Sequence, residues 1–285
     1  MKGKVYLVGA GPGDPELLTL KALRLLRTAE VVLHDALVPP EILQLIPSSA
    51  QIHNVGKRCG KKRILQGEIN HLMVALAVSG LRVVRLKGGD PLIFGRAGEE
   101  IETLRRNNIP FEIVPGVTSA MGAAAAAQIP LTHRRASSAL VLITAHNASE
   151  KDAAEKDASD WSKFVASGAT LVIYMPGQNY SDIAKRLTAA GLAGETPCAV
   201  ISRATTRHQR THRTTVLDLH RAPQLAAPTL VVVGEVVRMA DPAALVEGFV
   251  IPDVSKANDG LRPPALFKTF FSQATRLGTD KEPVA

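Results

Sequence analysis

The sequence has few cysteines, few aromatic residues and no long apolar run, and each shortage excludes a class of protein. Only Cys59 and Cys198 occur in 285 residues, which excludes a disulfide framework and a cysteine-rich metal site. Aromatic residues make up 4%, which argues against a base-stacking surface for nucleic acid. No stretch approaches the ~20 apolar residues that cross a bilayer, and the first strand lacks the features of a secretory signal. We therefore expect a cytoplasmic protein with no membrane partner and no bound metal.

Positive charge, in contrast, is abundant. The formal net charge is +8 at pH 7, and a balance of this kind favours an anionic partner. Nucleic acid and a small polyanionic substrate both satisfy the charge argument, and composition alone leaves both open. Basic residues concentrate in residues 57–63 and 203–213. A solvated surface is the simpler interpretation of each stretch, and steering of an anion is the alternative.

Short β-branched runs alternate with amphipathic helical patterns along the first 116 residues. This alternation predicts a parallel sheet that is covered by helices on both faces. Asp14 is the expected N-cap of the first helix, with Pro15 at its first position. The predicted strands are 4–8, 30–34, 81–86 and 111–114, and the predicted helices are 15–28, 66–79 and 96–107.

The alternation is interrupted at Pro115-Gly116 and by an alanine-rich helix predicted over 117–128, and then it begins again. We predict an α/β protein with two α/β domains. The domains are residues 1–116 and 138–247, joined by a connection at 117–137 and followed by a partly disordered tail at 248–285. In the second half the strands are predicted at 140–143, 170–174, 197–202, 213–217 and 228–236, and the helices at 160–167 and 180–190.

Two glycine loops follow predicted strands, GAGPGD at 9–14 and GGDP at 88–91. Glycine lets a ligand approach the backbone closely, and ligands gather at the carboxyl ends of strands in α/β sheets. A dinucleotide fingerprint needs glycine at its sixth position, where this sequence has Asp14, so a nicotinamide cofactor is disfavoured. Asp14 and Asp90 suit a cation with hydroxyls and an amino acid end, of which S-adenosylmethionine is an example. A tight turn without a ligand is the structural alternative, and composition alone does not select the ligand.

The loops belong to a longer series of motifs. It comprises VGAGPGD (8–14), VGKR (55–58), VRLKGGDPLIFGR (84–96), VPGVTS (114–119), IPLTHR (129–134) and Tyr174-Met175. Through these motifs the chain resembles the tetrapyrrole methylases over residues 5–237. The FGR and THR segments favour the uroporphyrinogen-III C-methyltransferase branch, and a methylase for a later precorrin intermediate is the alternative.

The resemblance implies the class III methyltransferase fold, with a cofactor cleft between the two α/β domains, and a homodimer. It also implies S-adenosylmethionine as methyl donor, with S-adenosylhomocysteine as its product. The implied reaction methylates C-2 and C-7 of uroporphyrinogen III to give precorrin-2 via precorrin-1. The polycarboxylate substrate accounts for the positive charge without nucleic acid. Sirohaem, cobalamin and haem d1 remain equally possible end products. Because the motifs begin at residue 5 and the tail is short, we expect no fused dehydrogenase or ferrochelatase segment.

The resemblance also implies site residues, carried over position by position. Asp35 and Lys57 match the proton-handling pair, and Arg96, Glu99 and Arg134 match groups on the substrate side. Ser119 and Ala204 stand where relatives often have alanine and glycine, but all of these are small. The implied donor contacts are Pro12, Gly88, Gly89, Asp90, Ile93, Thr118, Ser119, Met175 and Ala204.

The candidate polar residues also have simpler structural interpretations. Arginine forks bind carboxylates well, but Arg96 and Arg134 are equally suited to surface ion pairs. Glu99 stands three residues after Arg96 on one helix face and is a natural partner for it. A loop carboxylate would explain Asp35, and a solvated basic loop would explain Lys57. Cys198 and Trp161 are predicted to be packing residues.

Overall fold

The computed structural model describes residues 2–56, 64–145 and 161–240, and these residues form two five-stranded sheets. The predicted α/β class is confirmed. The first sheet has the order β3-β2-β4-β1-β5, and all its strands are parallel. Its strands are β1 (Val5–Gly9), β2 (Val31–His34), β3 (Gln51–Asn54), β4 (Val83–Lys87) and β5 (Phe111–Val114). The helices of this half are α1 (Leu20–Arg27), α2 (Pro40–Leu43), α3 (Gln66–Val78) and α4 (Ala97–Arg106).

Apolar side chains cover both faces of the first sheet, as the near-continuous apolar strands predicted. On one face α1 contributes a buried stripe that includes Leu25 and Leu26. On the other face Met73 of α3 and Leu104 of α4 are fully buried. Full burial of a side chain of this size stabilises the fold by roughly 1.5–3 kcal/mol. The sheet therefore sits in the middle of a three-layer arrangement of helices, strands and helices.

The second sheet is mixed. Its order is β6-β7-β10-β8-β9, and only β6 and β7 run parallel to each other. A parallel pair needs a long crossover, whereas only 203–209 lie between β8 and β9, which are therefore antiparallel. The strands are β6 (Leu140–Thr144), β7 (Thr170–Tyr174), β8 (Pro197–Ser202), β9 (Arg210–Thr215) and β10 (Thr229–Val233), and the helices are α5 (Ser119–Ala126), α6 (Ser162–Ala166) and α7 (Ser181–Ala189).

Three sequence predictions differ from the structure. The predicted helix 15–28 is split into a 3-10 turn at Pro15–Leu17 and α1, which begins at Leu20. The Asp14 carboxylate accepts from the Glu16 amide and so caps only the 3-10 turn, while Thr19 caps α1. Strand β9 lies three residues earlier than predicted, and β3 and α2 were not anticipated. All four residues of β3 are exposed, so this strand carries no apolar pattern.

The predicted boundaries at residues 116, 117 and 138 stay predictions, and the predicted tail at 248–285 lies outside the described residues. Within the described ranges, no helix is long and apolar enough to span a bilayer. The same residues contain no group of three or more His, Cys, Asp or Glu side chains that is arranged to hold a metal ion.

Candidate functional site

The two glycine loops are hydrogen-bonded to each other because β1 and β4 are neighbours in the sheet. The amide of Gly11 donates to the carbonyl of Gly89 over 3.1 Å, and the amide of Gly89 donates back to Gly11 over 2.8 Å. The loop after β5 joins them, since Gly116 donates to Asp90 Oδ2 over 3.1 Å. A Cβ atom on Gly116 would lie only 2.4 Å from the Gly89 carbonyl oxygen. The three loops can therefore approach one another this closely only because glycine, which has no side chain, occupies the contact positions.

A cleft opens beside these loops, and it is lined by residues from both sheets. Asp35, which follows β2, lies on its surface together with the glycine loop after β4. The second half supplies apolar groups such as Ile201 and Leu230. Every position that the family resemblance associates with the methyl donor lines this cleft: Pro12, Gly88, Gly89, Asp90, Ile93, Thr118, Ser119, Met175 and Ala204. Their role as donor contacts stays a prediction.

The first glycine loop also contacts the second half of the chain. The Asp14 amide donates to Thr205 Oγ1 over 3.2 Å. Pro12 packs so closely on α5 that a Cβ on Gly122 would lie 2.5 Å from its Cγ atom. Asp14 itself does not line the cleft, because its carboxylate caps Glu16. The expectation that Asp14 serves a cationic ligand stays a prediction, and of the two loop carboxylates only Asp90 lines the cleft.

Tyr174 ends β7 at the cleft, and sequence reasoning had quoted it within a motif without assigning it a role. Its hydroxyl lies 2.7 Å from Thr118 Oγ1 and accepts from the Ala120 amide over 3.0 Å. The ring of Phe94 packs on it with centroids 4.9 Å apart. Burial raises the pKa of Tyr174, so the phenol is neutral at pH 7. Tyr174 thus fixes the start of α5 next to the predicted donor residues Thr118 and Ser119.

Directly behind Asp35 is a cluster of buried charges, which sequence reasoning missed. Arg85 and Lys87 lie on one face of β4, and Glu100 lies on α4, with side chains at most 3% exposed. Arg85 Nη2 donates to Asp35 Oδ1 over 2.5 Å, and Arg85 Nε donates to Glu100 Oε1 over 2.9 Å. A signal was present in the sequence, because Arg85 and Lys87 alternate with apolar residues in and directly after the predicted strand 81–86.

The pKa values of the two buried cations in the cluster shift in opposite directions. For Arg85, burial opposes the charged form, but the carboxylates of Asp35 and Glu100 outweigh burial and the pKa is raised. For Lys87, burial lowers the pKa, the Arg85 charge lowers it further, and Glu100 compensates only in part. Arg85 is therefore a fixed positive charge beside Asp35, which lines the cleft.

Three of the other predicted catalytic residues do not line the cleft: Arg96, Glu99 and Arg134. Arg96 and Glu99 form a bidentate ion pair, with two N–O distances of 2.7 Å, at the start of α4. Both side chains are about half exposed, at 46% and 50%. Arg134 is exposed on the turn closed by His133 and Ser137, and Lys57 lies outside the described residues. The structure thus places Asp35 in the cleft and three of its proposed partners on the surface.

The predicted packing residues are buried as expected. Trp161 is 3% exposed and packs in the core of the second half with Cys198. Burial raises the pKa of the Cys198 thiol to about 12, so this cysteine stays a protonated thiol. The basic stretch at 203–213 spans the turn after β8 and the edge strand β9. Within it, Arg207 and Arg210 are exposed and do not line the cleft.

Comparison with known proteins gives the class of this chain. It belongs to the tetrapyrrole (corrin/porphyrin) methylases, because the model of that family matches residues 4–220. Among curated proteins it is 49% identical over 252 residues to the siroheme synthase of Pseudomonas fluorescens and 48% identical over 252 residues to that of Azotobacter vinelandii. Each alignment covers 86% of this chain and 53% of the relative. The chain therefore spans about half the length of the curated relatives it matches.

Among solved structures the chain is similar to a uroporphyrin-III C-methyltransferase from Thermus thermophilus in complex with S-adenosylhomocysteine. The two share 39% identity at a TM-score of 0.71, over 83% of this chain and 100% of that one. A cobalt precorrin-4 methyltransferase matches with 30% identity and the same TM-score, over 84% of this chain and 96% of that one. Both similarities extend over both sheets.

Proposed function

We propose that this protein transfers methyl groups from S-adenosylmethionine to C-2 and C-7 of uroporphyrinogen III, giving precorrin-2 via precorrin-1. One observation carries the proposal: all nine positions associated with the methyl donor share a single cleft with Asp35. The matched structure from Thermus thermophilus, whose name specifies this methyl transfer, supports the choice of substrate. The siroheme synthases among the relatives place the reaction in tetrapyrrole biosynthesis.

The chemistry of the cleft suits the methyl donor. Its glycine loops present backbone donors and acceptors with no side chain in the way, which suits the amino acid and ribose groups. The opposite wall is apolar at Ile201 and Leu230, which suits a flat base. Ser119 and Ala204 are small enough that their departure from the family pattern leaves the cleft open. When bound, S-adenosylmethionine supplies an activated methyl group on a positively charged sulfur.

The protein's own contribution is positioning, exclusion of water and proton transfer. Alignment of two reactants is worth up to roughly 7–11 kcal/mol of the barrier. Asp35 lies on the cleft surface with Oδ1 held by Arg85, and we assign Oδ2 as the atom that takes the proton released by the methylated ring carbon. Lys57 is the proposed partner of Asp35 in proton handling.

We propose that three residues bind the substrate at the edge of the cleft: Arg96, Glu99 and Arg134. Arg96 follows Gly95, which lines the cleft, and its guanidinium can exchange Glu99 for a substrate carboxylate on the same face of α4. Arg134 is exposed on the turn that follows residue 130. The net charge of +8 steers a polyanionic substrate towards the protein.

We also propose a homodimer located in the cytoplasm. The dimer is what the family resemblance implies, and the absence of a membrane-spanning helix from the described ranges fits the location. Light scattering on the purified protein at several concentrations tests the assembly. A mass of one chain at every concentration contradicts the dimer.

The direct test of function is anaerobic incubation of the purified protein with S-adenosylmethionine and uroporphyrinogen III. We expect the tetrapyrrole to gain the mass of two methyl groups, with one methyl group at early times. No gain in mass contradicts the proposal. The second candidate, a methylase for a later precorrin intermediate, is supported by the similarity to the cobalt precorrin-4 enzyme. It predicts faster methylation of that intermediate in a competition between the two substrates.

Arg134→Ala tests the substrate side separately from the donor side. Because a bidentate arginine contact to a carboxylate is lost, we expect KM for uroporphyrinogen III to rise about tenfold, with nearly unchanged affinity for S-adenosylhomocysteine. Arg135→Ala is the matched control, since Arg135 is the exposed neighbour and is expected to change neither value. Equal losses of substrate and donor affinity in Arg134→Ala contradict the assignment.

A further inference from the structure

The buried charges behind the cleft form one connected network centred on Glu100. Glu100 is fully buried, and its Oε1 accepts from Arg85 Nε over 2.9 Å, from Lys87 Nζ over 3.1 Å and from Gln66 Nε2 over 3.2 Å. Its Oε2 lies 3.1 Å from Lys87 Nζ but receives no directed hydrogen bond. One carboxylate therefore holds both buried cations of β4.

Each of the three side-chain nitrogens of Arg85 donates at least one hydrogen bond. In addition to Glu100 and Asp35, it donates from Nη1 to the carbonyls of Leu33 and Leu86, each over 3.2 Å. A guanidinium is planar and presents its donors in a rigid fork. Fixing Nε on Glu100 therefore also fixes the direction in which Nη2 meets Asp35. The orientation of the Asp35 carboxylate is thus set by a residue that never reaches the cleft.

The network lies immediately beneath the residues that line the cleft. A Cβ atom on Gly95, in the cleft wall, would lie 3.1 Å from Lys87 Cε. Glu100 sits in the first turn of α4, next to Glu99. The same turn of helix therefore carries the centre of the buried network and one of the proposed substrate-side residues.

Packing alone does not account for such a network. Burying ions costs free energy that their attraction recovers only with very good geometry, and apolar residues of similar volume often stabilise a core as well or better. What fixed buried charges do provide is a preorganised direction and field for a group at the edge of the cluster. The only member of this cluster that reaches the cleft is Asp35.

We infer that Glu100, supported by Lys87, is a positioning residue that acts through Arg85 to orient the proton-accepting carboxylate of Asp35. This inference rests on the proposed function, in which Asp35 takes the proton released after methylation. Glu100 and Lys87 do not touch the substrate or the methyl donor in this arrangement.

The test begins with Glu100→Gln, which keeps the shape and one acceptor oxygen but removes the charge. We expect kcat for methyl transfer to fall about 10- to 100-fold, while KM for S-adenosylmethionine stays within threefold. Glu102→Gln is the matched control, because Glu102 lies on the same helix and forms an exposed ion pair with Arg106. The control is expected to leave kcat unchanged.

A double-mutant cycle with Asp35→Asn separates positioning from general damage. If Glu100 acts through Asp35, Glu100→Gln lowers the single-turnover rate in the wild-type background but changes the residual rate of Asp35→Asn less than threefold. A purely structural role lowers both rates by the same factor. That result overturns the inference, and so does an unchanged kcat in Glu100→Gln.

Folding and function are checked in the same experiment. If Glu100→Gln does not fold, Arg85→Lys replaces it, because lysine keeps the charge but cannot contact Glu100 and Asp35 in the same fork. An unchanged kcat in Arg85→Lys then overturns the inference. A wild-type protein that methylates no tetrapyrrole counts against the proposed function. If the wild type is active and Glu100→Gln has the same kcat, the positioning role is contradicted and the proposed function is not.

Discussion

The two walls of the cleft are chemically opposite. The wall from the first sheet consists of glycine loops and Asp35, with Arg85, Lys87 and Glu100 buried behind it. The wall from the second sheet is mostly apolar, the described residues that form it carry no charged group, and Tyr174, whose hydroxyl is neutral, is part of it. This difference indicates that the two walls have different roles. In the proposed function, the side of the parallel sheet carries the proton chemistry, and the side of the mixed sheet supplies the apolar surface for the base of the donor.

The largest expected effect concerns the charged wall. Asp35→Asn removes the proposed base and keeps the shape, so kcat is expected to fall about 10²- to 10⁴-fold. Affinity for S-adenosylhomocysteine, measured by calorimetry, is expected to stay within threefold. If S-adenosylhomocysteine binding is lost together with kcat, Asp35 belongs to the donor side, and the proposed difference in role between the two walls is contradicted.

The next effect concerns the loops where the two walls meet. Gly116→Ala places a Cβ atom 2.4 Å from the Gly89 oxygen, and the resulting strain is expected to lower the free energy of unfolding by roughly 1–3 kcal/mol. S-adenosylhomocysteine affinity should fall with it.

Gly98→Ala is the matched control for Gly116→Ala. A Cβ there meets nothing within 4 Å, and replacing a helical glycine by alanine stabilises a protein by roughly 0.5–1 kcal/mol. Urea unfolding of both variants measures the two changes. If both substitutions change the free energy of unfolding in the same direction, the structure accommodates the close contact at residue 116 without strain.

The smallest effect concerns the apolar wall. Tyr174→Phe leaves the buried Ala120 amide without its acceptor, which costs about 1–3 kcal/mol of stability. Because Thr118 and Ser119 are held by the same contact, we expect S-adenosylhomocysteine affinity to fall several-fold while kcat at saturation is unchanged. Tyr6→Phe, outside the cleft, is the control. A fall in kcat of more than tenfold in Tyr174→Phe would give this wall a chemical role.

The structure also shows which information the sequence contains. Apolar runs identified β1 and β2, since a strand buried on both faces has that composition, and β4 was identified from a run that Arg85 interrupts. Strand β3 has four exposed residues and was missed for the same reason. The antiparallel direction of β8, β9 and β10 was not apparent, because apolar periodicity carries no strand direction.

The sequence likewise predicts only part of the cleft. Motifs predicted Pro12, Gly89 and Met175 as donor residues because motifs are local patterns in the chain, and all three residues line the cleft. The contact between Arg85 and Glu100 is tertiary, since it joins β4 to α4, and no local pattern specifies it. Arg96 and Arg134, which the resemblance assigns to the substrate side, are exposed and do not line the cleft, so their role stays a prediction.

The close fit of Pro12 on Gly122 and the bond from Asp14 to Thr205 have a consequence for recombination between relatives. A chimera that takes its first half from one methylase and its second half from another breaks these contacts unless both sides come from one parent. Residues 12–14 should therefore be inherited together with 122 and 205. Crossover points between β5 and β6 are tolerated only where that small set is kept intact.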